Sequence, residues 1–115
     1  LSEVAEPPAQ MVDSLTTLFK TLKTVKRAFL CSIKERADAP ANLLIGIEAE
    51  GDIEAIIQTT GSVATDTLPG DEPIDICQVV EGEKGISHFM IAHITPFYEK
   101  RWGSFLRDFK QNRII

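Results

Sequence analysis

VKRAFLCSI at residues 25–33 and NLLIGIE at residues 42–48 decide the fold of this chain. Alternation along the first run puts Val25, Phe29, Cys31 and Ile33 on one face and Ala28 and Leu30 on the other. A strand that is apolar on both faces belongs inside a sheet, with cover above and below. In the second run Leu43, Ile45 and Ile47 share one face, and Leu44, Gly46 and Glu48 the other. Residues 34–41 between them carry charges and Pro40, which suits a loop, and a short connection predicts antiparallel neighbours. Gly46 sits mid-strand, where a missing side chain weakens the strand. A helix packed close to the backbone is the expected reason, ahead of a ligand.

Upstream, Met11, Val12, Leu15, Leu18, Phe19 and Leu22 form a helical stripe over residues 9–22. Downstream, Gly51 breaks the strand and Asp52 caps a helix whose face is Ile53, Ile56, Ile57, Ala64 and Leu68. Gly61 predicts a kink or an early end in that helix. Residues 74–80 read as a third strand. Strand, helix and strand imply a right-handed crossover and parallel strands. Placing the first strand between the other two meets every pairing rule. The expected fold is therefore a small α/β (α+β) sandwich with a mixed three-stranded sheet. Its strand order is 2-1-3, a split βαβ unit, with the two crossing helices on one face.

Residues 86–94 predict a short helix with Ile86, Phe89, Met90 and His93 on one face, stopped before Pro96. Phe97 and Tyr98 are expected to anchor on the domain. Trp102, Phe105, Leu106 and Phe109 recur at i, i+3, i+4 and i+7 opposite Lys100, Arg107 and Gln111, an amphipathic helix with an aromatic face. The second sheet face needs cover, and this tail is available for it. The expected divisions are a linker at 1–8, the α/β domain at 9–98 and the C-terminal helix or tail at 99–115.

The chain has 115 residues, enough for one domain with a real core. Its composition, 43% hydrophobic and 25% charged, is that of a soluble globular protein. No apolar run approaches the ~20 residues that span a bilayer. The acidic, proline-bearing start has no basic n-region and no Met, so the chain reads as a fragment. The net charge of −5 argues against nucleic-acid binding. The charge is uneven: residues 1–96 hold 7 basic against 15 acidic groups, or −8, and residues 97–115 hold 5 against 2, or +3.

Two cysteines, Cys31 and Cys77, make no disulfide framework and fit a reducing, cytoplasmic setting. Both are flanked by apolar strand residues, the surroundings of inert core thiols rather than reactive ones. With the first strand central, they would lie on neighbouring strands. His88 and His93, five apart, do not share a helix face and have no third ligand spaced to help, so no metal site is expected. His93 reads as a core or boundary residue and His88 as a surface one. The carboxylates fall mostly in loops, and Gly82-x-x-Gly85 reads as a turn. No catalytic, cofactor-binding or metal residue emerges.

The segments VKRAFLCSIK (25–34), NLLIGIEAEGDIEAII (42–57), GSVATDTLPGDEPIDICQV (61–79) and ITPFYEKRWGSFLRDFKQNRII (94–115) resemble the C-terminal domain of the SseB family of enteric bacteria. The likeness runs from about Met11 to Ile115. It implies an association with enhanced serine sensitivity, an N-terminal domain in full-length members, and no established catalytic residue or cofactor. The functional expectation is a non-enzymatic cytoplasmic interaction or regulatory module. Its contact surface would be Phe97, Tyr98, Trp102, Phe105, Leu106 and Phe109, binding a protein partner or a second copy, with no nucleic acid and no membrane. Two other readings stay open. One is an enzyme or sulfur-transfer protein using Cys31, Cys77 or the N-terminal domain; the other is an amino-acid sensor.

Overall fold

The computed structural model describes residues 2–4, 7–34, 36, 38, 41–68 and 74–100. The elements, in chain order, are β1 (Ser2–Glu3), α1 (Ala9–Thr21), β2 (Val25–Ile33), β3 (Asn42–Ala49), α2 (Ile53–Thr67), β4 (Ile74–Gln78), α3 (Ile86–His93) and β5 (Tyr98–Glu99). The fold is mixed α+β. Among the described residues the strands form one five-stranded mixed sheet, ordered β1-β2-β3-β4, with β5 also on β2.

The hairpin forms as the alternation predicts. β2 and β3 pair antiparallel from Arg27 opposite Glu48 to Ile33 opposite Asn42. The strand order corrects the expected 2-1-3: β3, not β2, lies between its two long neighbours, and β4 runs parallel to β3 with Leu43 opposite Ile74 and Ile47 opposite Gln78. A right-handed crossover through α2 reaches either side of the hairpin, so the crossover rule alone does not choose. The edge of β2 that β4 would have taken is occupied by β1 and β5. Ser2 and Glu3 face Ser32 and Cys31, and Tyr98 and Glu99 face Ala28 and Arg27.

A bulge changes which face Val25 serves. Val25 is opposite Ala49 but Arg27 is opposite Glu48, so Lys26 is an extra residue on β2. Val25 therefore joins Ala28 and Leu30 rather than Phe29, and is fully buried with them beneath α1 and α2. Met11, Leu15 and Phe19 of α1 and Ile56 and Ala64 of α2 complete that core, as their helical spacing requires. Asp52 caps α2, its side chain accepting from the Ala55 N–H at 3.2 Å, and Gly51 turns the chain into the helix at φ 85°. α2 continues through Gly61 to Thr67, against the expected early end.

The tail expected to be available for the opposite face lies outside the described residues, and α3 packs on that face. Met90 and Ile94 pack there against Phe29, Cys31, Leu44 and Val79. A Cβ built on Gly46 would lie 2.2 Å from the Met90 sulfur and 2.6 Å from a Val79 methyl. The glycine is what lets α3 approach, as expected. The buried stripe of α3 differs from the expected one. Ser87 and Met90 point inward, while Ile86 is 40% exposed and His93 is exposed. Ser87 is buried because its Oγ accepts the Val80 N–H at 3.1 Å, tying α3 to the end of β4.

Candidate functional site

The chain returns to the sheet at Phe97, and this return builds the site. The Phe97 N–H donates to the Ala28 carbonyl at 2.9 Å, and the Lys100 N–H donates to the Lys26 carbonyl at 2.7 Å. Between them the β5 pair holds Tyr98 and Glu99 against β2. Phe97 and Tyr98 are half-buried, and both rings tilt against the fully buried Phe19 of α1, with centroids 6.1 Å and 5.5 Å away. Such tilted pairs contribute about 0.5–1.5 kcal/mol each beyond the area they bury. The Tyr98 hydroxyl donates to the Phe19 carbonyl at 3.3 Å, in the last turn of α1. Burial pushes the Tyr98 phenol above its ordinary range. The Lys100 ammonium donates to the Lys23 carbonyl at 2.5 Å, just beyond that helix.

A groove of about 500 Å³ runs beside this anchor. Thr16, Lys20 and Lys23 form one wall and residues 97–100 the other. A second groove of about 260 Å³ lies between β1, Val12 and Ile94, and Phe97 lines both. The structure thus brings Phe97 and Tyr98 together as anchors with an open side. Trp102, Phe105, Leu106 and Phe109 lie outside the described residues. The lysines of the larger groove have no motif in the sequence. Lys20 and Lys23 look like ordinary polar-face residues near a helix C-terminus, and only the return of the chain sets Lys100 beside them.

The cysteines are placed differently from expectation. Cys31 on β2 faces Leu44, and Cys77 on β4 faces Gly46, so β3 separates them. Two strand spacings and the two-residue offset between Leu44 and Gly46 put their backbones roughly 12 Å apart, beyond the ~7 Å reach of a disulfide. Cys31 is fully buried and Cys77 half-buried. Burial raises both thiols above their ordinary pKa, with Cys77 adding to the rise at Cys31 and Asp75 to that at Cys77. A nucleophilic thiol has the opposite shift.

His88 and His93 are both exposed, and His93 stacks near Phe89 with centroids 5.2 Å apart. Among the described residues no group of three or more His, Cys, Asp or Glu is arranged to hold a metal ion. A part-buried ion pair joins β2 and β3. The Arg27 Nε donates to Glu48 at 2.5 Å, across the register pair that the bulge creates, and the guanidinium lies 5.5 Å from the Phe29 ring centroid. That hydrogen bond holds the Arg27 guanidinium above its ordinary pKa. No described helix is long and apolar enough to cross a membrane.

Comparison with known proteins adds a family. The family described as SseB protein C-terminal domain matches residues 1–100. The chain is 83% identical over 115 residues to Protein SseB of Escherichia coli (strain K12), and equally to Protein SseB of Shigella flexneri. Each alignment covers all of this chain and 45% of the relative, so the chain spans about half the length of these curated relatives. No solved structure matches.

Proposed function

We propose, from the premise that this chain belongs to the SseB family through the family's C-terminal domain, that it is a non-enzymatic interaction or regulatory module. Its contact surface is Phe97 and Tyr98 together with Trp102, Phe105, Leu106 and Phe109. Its setting is the cytoplasm, and its cellular effect is the serine-linked phenotype implied by the family resemblance. It engages a protein partner, a second copy or the N-terminal region of the longer relatives.

One observation supports this reading above the others. Residues 97–100 are pinned to β2 and to α1 by backbone and side-chain bonds, and they stand beside an open groove. A rigid aromatic anchor next to an open groove suits recognition, because little order must be created when a partner arrives. The thiol reading is disfavoured by the burial of Cys31 and by the upward direction of both thiol shifts.

The test is capture from cell extract with the full-length protein, beside a W102A/F105A form checked for unchanged circular dichroism. Sedimentation of both forms reads self-association. The expected result is loss of capture or of assembly in the variant. Equal capture and equal assembly by the two forms would refute the proposal.

A further inference from the structure

The charge of the larger groove is opposite to that of the molecule. The chain carries a net −5, yet Lys20, Lys23 and Lys100 line this groove against a single acid, Glu99. Among the described residues Lys20 and Lys23 make no ion pair within 4.0 Å. Lys100 is held, with its ammonium on the Lys23 carbonyl, so its charge is fixed at the rim. Phe97 and Tyr98 add aromatic surface to the same lining. The far wall is β5, which pairs with β2 along one edge and has no strand on its other edge among the described residues.

These three features fit one kind of ligand. An open strand edge offers backbone hydrogen bonds to an extended chain. Aromatic surface takes alternate apolar side chains from it. Ammonium groups at the rim select carboxylates and steer them in from a distance. We propose that this groove binds an acidic linear segment of a partner protein, added as a strand along β5, with its apolar side chains on Phe97 and Tyr98 and its carboxylates on Lys20 and Lys23. The inference rests on the interaction reading above and names its partner class. The chain's own residues 101–115 are a poor occupant, since they carry four basic groups and one acidic and would meet lysines of like charge. Nucleic acid is a poor occupant too, because phosphate binding needs a broad basic field and the chain as a whole is acidic.

The test is a fluorescence-anisotropy titration of the 115-residue chain with a labelled short peptide alternating glutamate and leucine. A lysine–leucine peptide, a single-stranded oligonucleotide and phosphatidylglycerol vesicles serve as competitors. The acidic peptide is expected to bind saturably, more weakly as salt rises because the Debye length shortens. K20E/K23E is expected to weaken it about tenfold, on the scale of two exposed ion pairs lost and made repulsive, and to gain the lysine–leucine peptide. Amide shifts in the parent chain test the same site without any substitution, and they are expected to concentrate at residues 16–23 and 97–100. Absence of saturable binding, equal affinity after charge reversal, shifts elsewhere, or an oligonucleotide or vesicle binding as tightly would overturn the proposal. Groove binding that fails leaves capture dependent on Trp102 and Phe105 standing. Capture that ignores those residues leaves groove binding standing, so the two failures are distinguishable.

Discussion

Gly46→Ala tests the packing that holds the sheet's second face. The added Cβ meets the Met90 sulfur at 2.2 Å and a Val79 methyl at 2.6 Å, where carbon contacts prefer about 3.5–4.0 Å. Roughly 1 Å must therefore open between α3 and the sheet. The Met90 side chain is adaptable, but it is fully buried, and Val79, at 1% exposure, is short and stiff. Overpacking of this kind costs about 1–3 kcal/mol. With two neighbours displaced on the central strand, about 2 kcal/mol is expected, a fall in Tm of roughly 10 °C for a domain of this size. Urea unfolding followed by far-ultraviolet circular dichroism reads the change as a lower midpoint at constant slope. The diagnostic step is a double-mutant cycle. In a Met90→Ala background most of the clash is gone, and Gly46→Ala should cost about 1 kcal/mol less than in the parent. An unchanged midpoint for Gly46→Ala, or the same loss in both backgrounds, would mean that Gly46 does not set the approach of α3.

Three further outcomes are expected. An aromatic disulfide added to the folded protein should modify half-buried Cys77 slowly and fully buried Cys31 only on unfolding, with equal rates counting against the assigned burial. Because both thiols titrate higher in the folded state than their reference of 9.0, the unfolded chain loses protons first as pH rises. Stability should thus be unaffected by these thiols below about pH 8.5 and fall above it, and C31A/C77A should flatten that alkaline decline in urea midpoints measured across pH. Removing Arg27 strands a buried carboxylate, so Arg27→Ala should cost about 1–3 kcal/mol, and the Arg27–Glu48 cycle should show coupling of about 1 kcal/mol, measured by the same urea titration.

The long strands, α1 and α2 were legible because their apolar residues keep one period across most of β2 and over several turns in each helix. Gly46 was legible for a related reason: a glycine inside a buried strand demands a close neighbour. The strand order was not legible, because local rules permit the crossover on either side of the hairpin, and the edge of β2 is claimed by β1 and β5, each two residues long. A two-residue strand has no period to read. The Lys26 bulge was equally silent, and it reversed the facing of Val25. In α3 the error was chemical: Ser87 goes inward for a hydrogen bond, and hydrophobicity alone would send Ile86 in its place. Of the site, the anchoring of Phe97 and Tyr98 could be foreseen from two adjacent aromatics after a proline. The basic groove could not, since Lys23 and Lys100 are 77 residues apart.

The two short strands on β2 also bear on how the domain is made. β1 comes from the start of the described chain and β5 from its far end, and they lie in line along one border of the same strand. A ribosome emitting about 5–20 residues per second will release β2 several seconds before the segment that seals this border. Until Phe97 and Tyr98 emerge, Phe19 lacks its ring neighbours and the backbone at Ala28 lacks its hydrogen-bond partner. A nascent chain in that interval presents a row of unpaired backbone groups along β2, a border that the two short strands later close.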